Sequence, residues 1–228
     1  MPEILFQNDH MIAVEKPAGW LTVPSRFEAE DKRQVLGRWL EEAARCRLYP
    51  VHRLDFDVSG VVLFAKTANA QKESNRWFER QLVQKTYQGI SGARDFSHWP
   101  GNLPRADEEI PLATEMVWTC QILRGKRRSY EHPKGDRAVT EAFLVKINSD
   151  DKRWHWQLRP RTGRPHQLRF EMSRHGFPLL GDQLYGSQEK WETEDGIALR
   201  AVSLDLQGIE EGRRLGLPSL IFVKGLFE

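Results

Sequence analysis

The segment Gly60-Val61-Val62-Leu63-Phe64-Ala65-Lys66 constrains the fold more than any other part of this chain. A glycine-led, unbroken apolar run ending in charge reads as a strand buried on both faces, because a half-exposed strand would alternate with polar residues. Immediately before it stands Val51-His52-Arg53-Leu54-Asp55-Phe56-Asp57-Val58-Ser59, with one residue between Arg53 and Asp55. A lone Arg-x-Asp is most often a surface ion pair or turn contact. Here the acid sits at the mouth of a buried strand, where partial desolvation and a nearby cation both tune a carboxylate for chemistry. Asp57 reads as a turn residue.

Around that strand the chain organises into short elements. Glu3–Gln7 and Met11–Glu15 flank Asn8-Asp9 as a strand pair. Lys16-Pro17-Ala18-Gly19-Trp20 is a loop. Val35, Leu36, Trp39, Leu40 and Ala43 predict an amphipathic helix over Asp31–Arg45. Thr67 is placed to cap a second helix whose apolar face is closed by Trp77, Phe78 and Leu82. Gln84–Ile90 is extended. Asp95–Asp136 is irregular, with a strand over Ile110–Gln121 and the basic run Arg124-Gly125-Lys126-Arg127-Arg128. Ala138–Asn148 and Lys152–Arg159 form a hairpin around Ser149-Asp150-Asp151. His166–Arg174 is a short helix ended by Gly176, and Ile197–Leu206 and Ser219–Val223 are late strands. Strands dominate and the longer helices come early, which predicts one α+β domain over residues 1–228, a mainly antiparallel mixed sheet flanked by helices.

Charge and cysteine usage narrow the function classes. The net charge is only +2, so a polyanionic partner must be met by a local patch. Cys46 and Cys120 are too few for a disulfide framework and lack metal-ligand spacing, which suits a reducing cytosol. No signal peptide or membrane-length apolar run is visible, so a cytoplasmic protein is expected. Neither a phosphate-binding loop nor a dinucleotide fingerprint occurs, and no metal site is expected.

The local patch is Arg159-Pro160-Arg161-Thr162-Gly163-Arg164-Pro165-His166-Gln167-Leu168-Arg169. Guanidinium groups this close repel one another unless anions are near. A solvated basic loop is the ordinary reading of such a run. His166 and Gln167, donors suited to phosphates and base edges at a helix start, point instead to a nucleic-acid backbone. Tyr87, within Lys85-Thr86-Tyr87-Gln88-Gly89, is by default a sheet-packing residue. Its functional alternative is to stack on a base and exchange a proton through its hydroxyl.

Taken together, these segments resemble the RluA branch of the RNA pseudouridine synthases. Lys16-Pro17-Ala18-Gly19 with Val23-Pro24 is similar to that family's opening element. His52-Arg53-Leu54-Asp55 with Ser59-Gly60 resembles its catalytic loop, and Lys85-x-Tyr87 its tyrosine strand. Thr162-Gly163-Arg164-Pro165-His166-Gln167-Leu168-Arg169, followed by Gly181-Asp182-x-x-Tyr185-Gly186, resembles its late motif. Two departures stand out. Val58 replaces a common threonine, and Leu199-Arg200-Ala201 replaces Leu-His-Ala. No S4-like RNA-binding module is expected, since the core begins close to Met1.

The resemblance implies the family's catalytic fold with a central cleft and a cofactor-free conversion of uridine to pseudouridine in rRNA or tRNA. Asp55, Tyr87 and Arg169 would be catalytic, with Arg169 paired to Asp55. Arg53 would fill the stack vacated by a flipped base or brace the flipped strand, with His52, Arg161, Arg164, His166 and Gln167 also meeting RNA. A monomer with no protein partner is expected. Two other readings remain at this level: a non-catalytic RNA-binding or chaperone protein on the same fold, and a carboxylate glycosidase. The glycosidase wants a second acid near Asp55, and the arginine-rich loop argues against it.

Overall fold

The structure, a computed structural model, describes residues 1–25, 30–101, 103–192 and 196–227. In chain order its elements are β1 (Glu3–Gln7), β2 (Met11–Lys16), α1 (Leu36–Ala44), β3 (Tyr49–Pro50), β4 (Ser59–Ala65), α2 (Ala68–Glu79) and β5 (Gln84–Ser91). Then come β6 (Glu115–Arg124), β7 (Ser129–Glu131), β8 (Asp136–Asn148), β9 (Arg153–Pro160), α3 (Gln167–Arg174), β10 (Leu199–Asp205), α4 (Glu210–Arg214) and β11 (Leu220–Phe222). Strands prevail over short helices and the ladders described below are antiparallel, so the class is α+β. By their internal contacts the residues form two compact units: Met1–Lys85 with Ala201–Lys224, and Thr86–Arg200 with Gly225–Glu228. No helix among the described residues is long and apolar enough to cross a membrane.

The first unit is built on β4. All of its residues from Ser59 to Ala65 are buried, as a continuous apolar run requires. β2 pairs with it antiparallel through Val14↔Val62 and Lys16↔Gly60, and β3 pairs through Tyr49↔Ala65. β10 lies beside it and pairs in turn with β11. Gly60 explains how β10 can come so close. Its φ is +121°, and a Cβ there would stand 2.1 Å from the carbonyl oxygen of Ala201, so no side chain fits. At the β1–β2 turn, Asn8 Oδ1 accepts the N–H groups of His10 and Met11, both at 2.9 Å. Thr67 caps α2 as expected, its Oγ1 accepting from Ala70 N at 3.1 Å. Trp77 then enters a core with Leu63, Leu204 and Ile221.

The second unit is an antiparallel sheet in the order β5-β9-β8-β6-β7. β5 pairs with β9 (Tyr87↔Leu158), β9 with β8 (Thr140↔Pro160), β8 with β6 (Trp118↔Thr140) and β6 with β7 (Leu123↔Tyr130). The β8–β9 hairpin turns where expected, closing on Asn148↔Arg153, and a register shift at Leu144/Lys146 adds local twist. Its core is aromatic. Trp156 and Phe177 are fully buried with ring centroids 4.8 Å apart, and Trp156 Nε1 donates to Ser91 Oγ at 3.0 Å.

Several expected boundaries move for identifiable reasons. α1 begins at Leu36 rather than Asp31 because the chain before it is taken up by a bridge to Leu21: Leu21 N donates to Gln34 O and Leu36 N to Leu21 O. β6 begins at Glu115 rather than Ile110 because Ala113, at φ 57°, turns its N–H onto Leu144 O. Leu82 lies beyond the end of α2 and is half exposed, so Trp77 and Phe78 close that face without it. His166 precedes α3 in a left-handed conformation, φ 54°, instead of starting the helix.

Candidate active site

In the first unit, the loop carrying Asp55 is pinned on both sides of the carboxylate. Leu54 is tied by two bonds to Thr22: Leu54 N donates to Oγ1 at 3.1 Å, and Oγ1 donates to Leu54 O at 3.0 Å. Phe56 O accepts from Gly19 N at 2.9 Å and from Lys16 Nζ at 3.2 Å. Val58 N closes a turn onto Asp55 O at 3.2 Å. Asp55 itself is half-buried, while Arg53 is exposed. An acid whose two flanking backbone groups are fixed loses little freedom on meeting a substrate, which is what precise positioning needs.

Lys16 is the residue that makes this loop possible. It has no exposed surface, and its Nζ donates to the carbonyls of Pro17 and Trp20, each at 2.8 Å, besides Phe56. Burial pushes its pKa down to about 7, against the opposing pull of Asp55 and Asp57. The ammonium thus knots the Lys-Pro-Ala-Gly turn to the acid-bearing loop.

His52, expected among the RNA-contacting residues, has a definite place in the fold. Its Nε2 accepts the N–H of Leu63 at 3.0 Å, and its ring stacks on Phe78 at 4.7 Å. An acceptor nitrogen is unprotonated, and burial, with the Lys85 charge adding to it, lowers the His52 pKa to about 3. Lys85 is itself pushed to about 8 by burial. The linkage sign follows. Between pH about 6.5 and about 3 the unfolded chain binds a proton at His52 that the folded chain refuses, so this group's contribution to stability falls as pH drops through that window and is flat below it. The stability advantage of the wild type over His52→Asn is therefore expected to shrink steadily from pH 6.5 to pH 3. Urea midpoints at half-unit pH steps measure it, and a constant difference would contradict a neutral, buried imidazole.

In the second unit, Tyr87 sits half-buried on β5 opposite Leu158. The arginine loop is far from bare. Arg161 Nε donates to Glu141 Oε1 at 2.5 Å, and Arg164 Nε to Arg137 O at 3.0 Å, with Asp136 3.7 Å from its Nη1. Both side chains are largely open to solvent, and such pairs are worth only about 0–1 kcal/mol. Phosphates could replace these partners at little cost. Gln167 behaves differently. It is buried; its Oε1 accepts from Thr162 Oγ1 and Arg164 N, and its Nε2 donates to Val139 O and Thr140 Oγ1. Its amide thus staples the loop to β8.

Arg169 has a partner the sequence reading did not assign. Its Nε and Nη2 form a bidentate pair with Asp182 at 2.7 and 2.8 Å, with the arginine side chain 4% exposed and the carboxylate 0%. Its guanidinium also lies over the ring of Tyr185, 5.4 Å from the centroid. Tyr185 anchors this corner: its hydroxyl accepts from Ser129 N at 2.7 Å and lies 3.2 Å from His166 Nδ1. The signal was present in Gly181-Asp182-x-x-Tyr185-Gly186, where an acid follows a glycine at φ +81°.

A loop that fixes an acid and a buried arginine clamp belong to a known class of RNA-modifying enzymes. Residues 10–174 match the family model described as RNA pseudouridylate synthase, and the chain belongs to that family, whose members are isomerases. It is 33% identical over 203 residues to the dual-specificity RNA pseudouridine synthase RluA of Escherichia coli K12, covering 89% of this chain and 85% of that one. The RluA of Vibrio vulnificus is 30% identical, over 89% and 76%. Among solved structures, human RNA pseudouridylate synthase domain containing 4 matches with a TM-score of 0.67 at 19% identity, covering 98% of this chain and 88% of that one. Human RNA pseudouridylate synthase domain containing 1 gives 0.66 at 21% identity, covering 91% and 79%. At such identities these two matches speak for the fold.

Proposed function

We propose that this enzyme converts a specific uridine of rRNA or tRNA to pseudouridine, its two units working as one catalytic domain, as a monomer in the cytoplasm. The observation that carries the reading is Asp55, in a His52-Arg53-Leu54-Asp55 segment whose backbone is pinned on both sides, within a chain of this family. The relatives' names, dual-specificity RNA pseudouridine synthases, support an RNA substrate and leave room for more than one.

Substrate and product contain the same atoms. The N1–C1′ bond breaks, the freed uracil turns, C5 bonds to C1′, C5 loses its proton and N1 gains one. No electron acceptor or group donor is consumed, so no cofactor is invoked. The base must first leave its stack, which costs a few kcal/mol, and Arg53, exposed beside the acid, is suited to fill the gap. Asp55 supplies the carboxylate, whether by attack at C1′, attack at C6 or removal of a sugar proton; a carboxylate facing a sugar-like cation has its parallel in glycoside chemistry. Tyr87 would stack on the uracil and receive the C5 proton. Arg169 would hold Asp55 ionised, being itself held by Asp182. Arg161, Arg164 and His166 would meet the backbone phosphates.

The test is release of tritium from C5-labelled uridine in tRNA and rRNA transcripts, followed by mapping of pseudouridine in cells with and without the gene. Stoichiometric release at a discrete position is the expected result. No release from any cellular RNA would sink the proposal.

A further inference from the structure

The basic run Arg124–Arg128 plays no part in the chemistry above, yet the fold gives it a definite place. It forms the turn between β6 and β7, with Gly125 N donating to Arg128 O at 3.0 Å. Arg124 Nη1 bonds to Arg127 O, which draws the basic side chains onto one turn. Lys126, Arg127 and Arg128 are exposed, and their side chains have no acidic partner among the described residues. Arg161 and Arg164 have their own carboxylates, whereas these three side chains have none among the described residues.

Beside the turn opens a cavity of about 210 Å³. None of the residues assigned to the reaction lines it. Its walls include Trp99 and Tyr130, both half-exposed, with Phe170 and Tyr185 buried behind them. Trp99 is held upright, its Nε1 donating to Leu103 O at 3.1 Å and its ring 5.8 Å from Phe170. Gln183 and Gln188 bring exposed side-chain amides to the wall, and Arg128 joins the cavity to the basic turn. The volume falls below the roughly 300 Å³ at which sites for drug-sized molecules begin, so it suits one flat ring system. Aromatic walls beside unpaired cations are the means by which proteins hold an unstacked nucleotide, the base on the rings and the phosphate on the charges.

We propose that this cavity is an auxiliary nucleotide site: it takes one unstacked base of the RNA other than the reacting uridine, while Lys126, Arg127 and Arg128 hold the adjoining phosphates. The inference rests on the proposed RNA substrate and adds a second point of RNA contact in the second unit. Amides at the wall match a base edge, so the site would select among bases rather than merely attract polyanion.

The test uses the full chain labelled with ¹⁵N, with the Trp99 indole N–H signal assigned by Trp99→Phe. Each of the four nucleoside 5′-monophosphates is titrated to about 10 mM, a range that captures weak single-nucleotide binding; inorganic phosphate is the control. At least one nucleotide is expected to shift the Trp99 signal, phosphate alone to leave it in place, and Arg127→Glu/Arg128→Glu to weaken that nucleotide by about tenfold. The same double variant, at two exposed positions, should raise KM for the RNA substrate by a similar factor with kcat unchanged. Absence of any nucleotide response at Trp99, or a response indifferent to the charge reversal, overturns the inference. The two readings separate cleanly. Normal pseudouridine formation with a silent Trp99 removes this site and not the reaction; no pseudouridine formation removes the reaction, and the nucleotide titration still judges the cavity.

Discussion

Asp55→Ala is expected to lower tritium release from C5-labelled uridine by about 10⁴-fold or more, on the scale of removing a reacting group from an enzyme site. RNA affinity should stay within about threefold, because a carboxylate contributes no attraction to a phosphate backbone. The loop backbone keeps its own ties in the variant. The bonds that pin the loop backbone run through Leu54, Phe56, Val58 and the carbonyl of Asp55. Melting temperature is the control. Asp55→Asn should be as inactive, since an amide is neither a nucleophile nor a base at neutral pH. A variant that forms pseudouridine at near wild-type rate would shift the reading to another acid. A wild-type phenotype in cells despite lost catalysis would favour a binding or chaperone role.

Asp182→Asn is expected to cost about 3–5 kcal/mol of stability, the usual consequence of removing one member of a buried, bidentate ion pair. Arg169 has a 4% exposed side chain and cannot turn to solvent for help. The charge rather than the packing drives the loss, so the double variant Asp182→Asn/Arg169→Met should recover a large part of it. Activity gives the opposite pattern. If Arg169 holds Asp55, the double variant regains stability and remains inactive. Urea midpoints together with tritium release separate the two effects, and a cost below about 1 kcal/mol for Asp182→Asn would mean that the pair does little for the fold.

The elements most legible in the sequence were those whose signal is local. The β4 run, the Thr67 cap and the β8–β9 hairpin each declare themselves through residues that touch one another. What escaped was set by partners far along the chain. Nothing near Gln167 in the sequence shows that Val139 and Thr140 will bind its amide. The donor to the His52 ring, Leu63 N, lies inside the next strand, where no local pattern announces it. Lys16 reads as an ordinary loop lysine, and only the fold supplies three carbonyls around its ammonium. Composition counts charges without pairing them, so the arginine loop appeared more exposed to an external anion than it is.

The order in which the chain is made bears on its folding. The second unit is nearly one continuous stretch, Thr86–Arg200, whereas the first is assembled from Met1–Lys85 and Ala201–Lys224. Leu204, Leu206, Ile209, Leu217, Ile221 and Val223 come from the late segment and fill the same core as Met11, Leu63 and Trp77. On the ribosome, then, the half bearing Asp55 is synthesised first and finished last. It must wait with an open core while the intervening unit emerges, and domains generally fold as units in the order they appear. The core behind the reactive loop therefore closes only after the segment Ala201–Lys224 has been made.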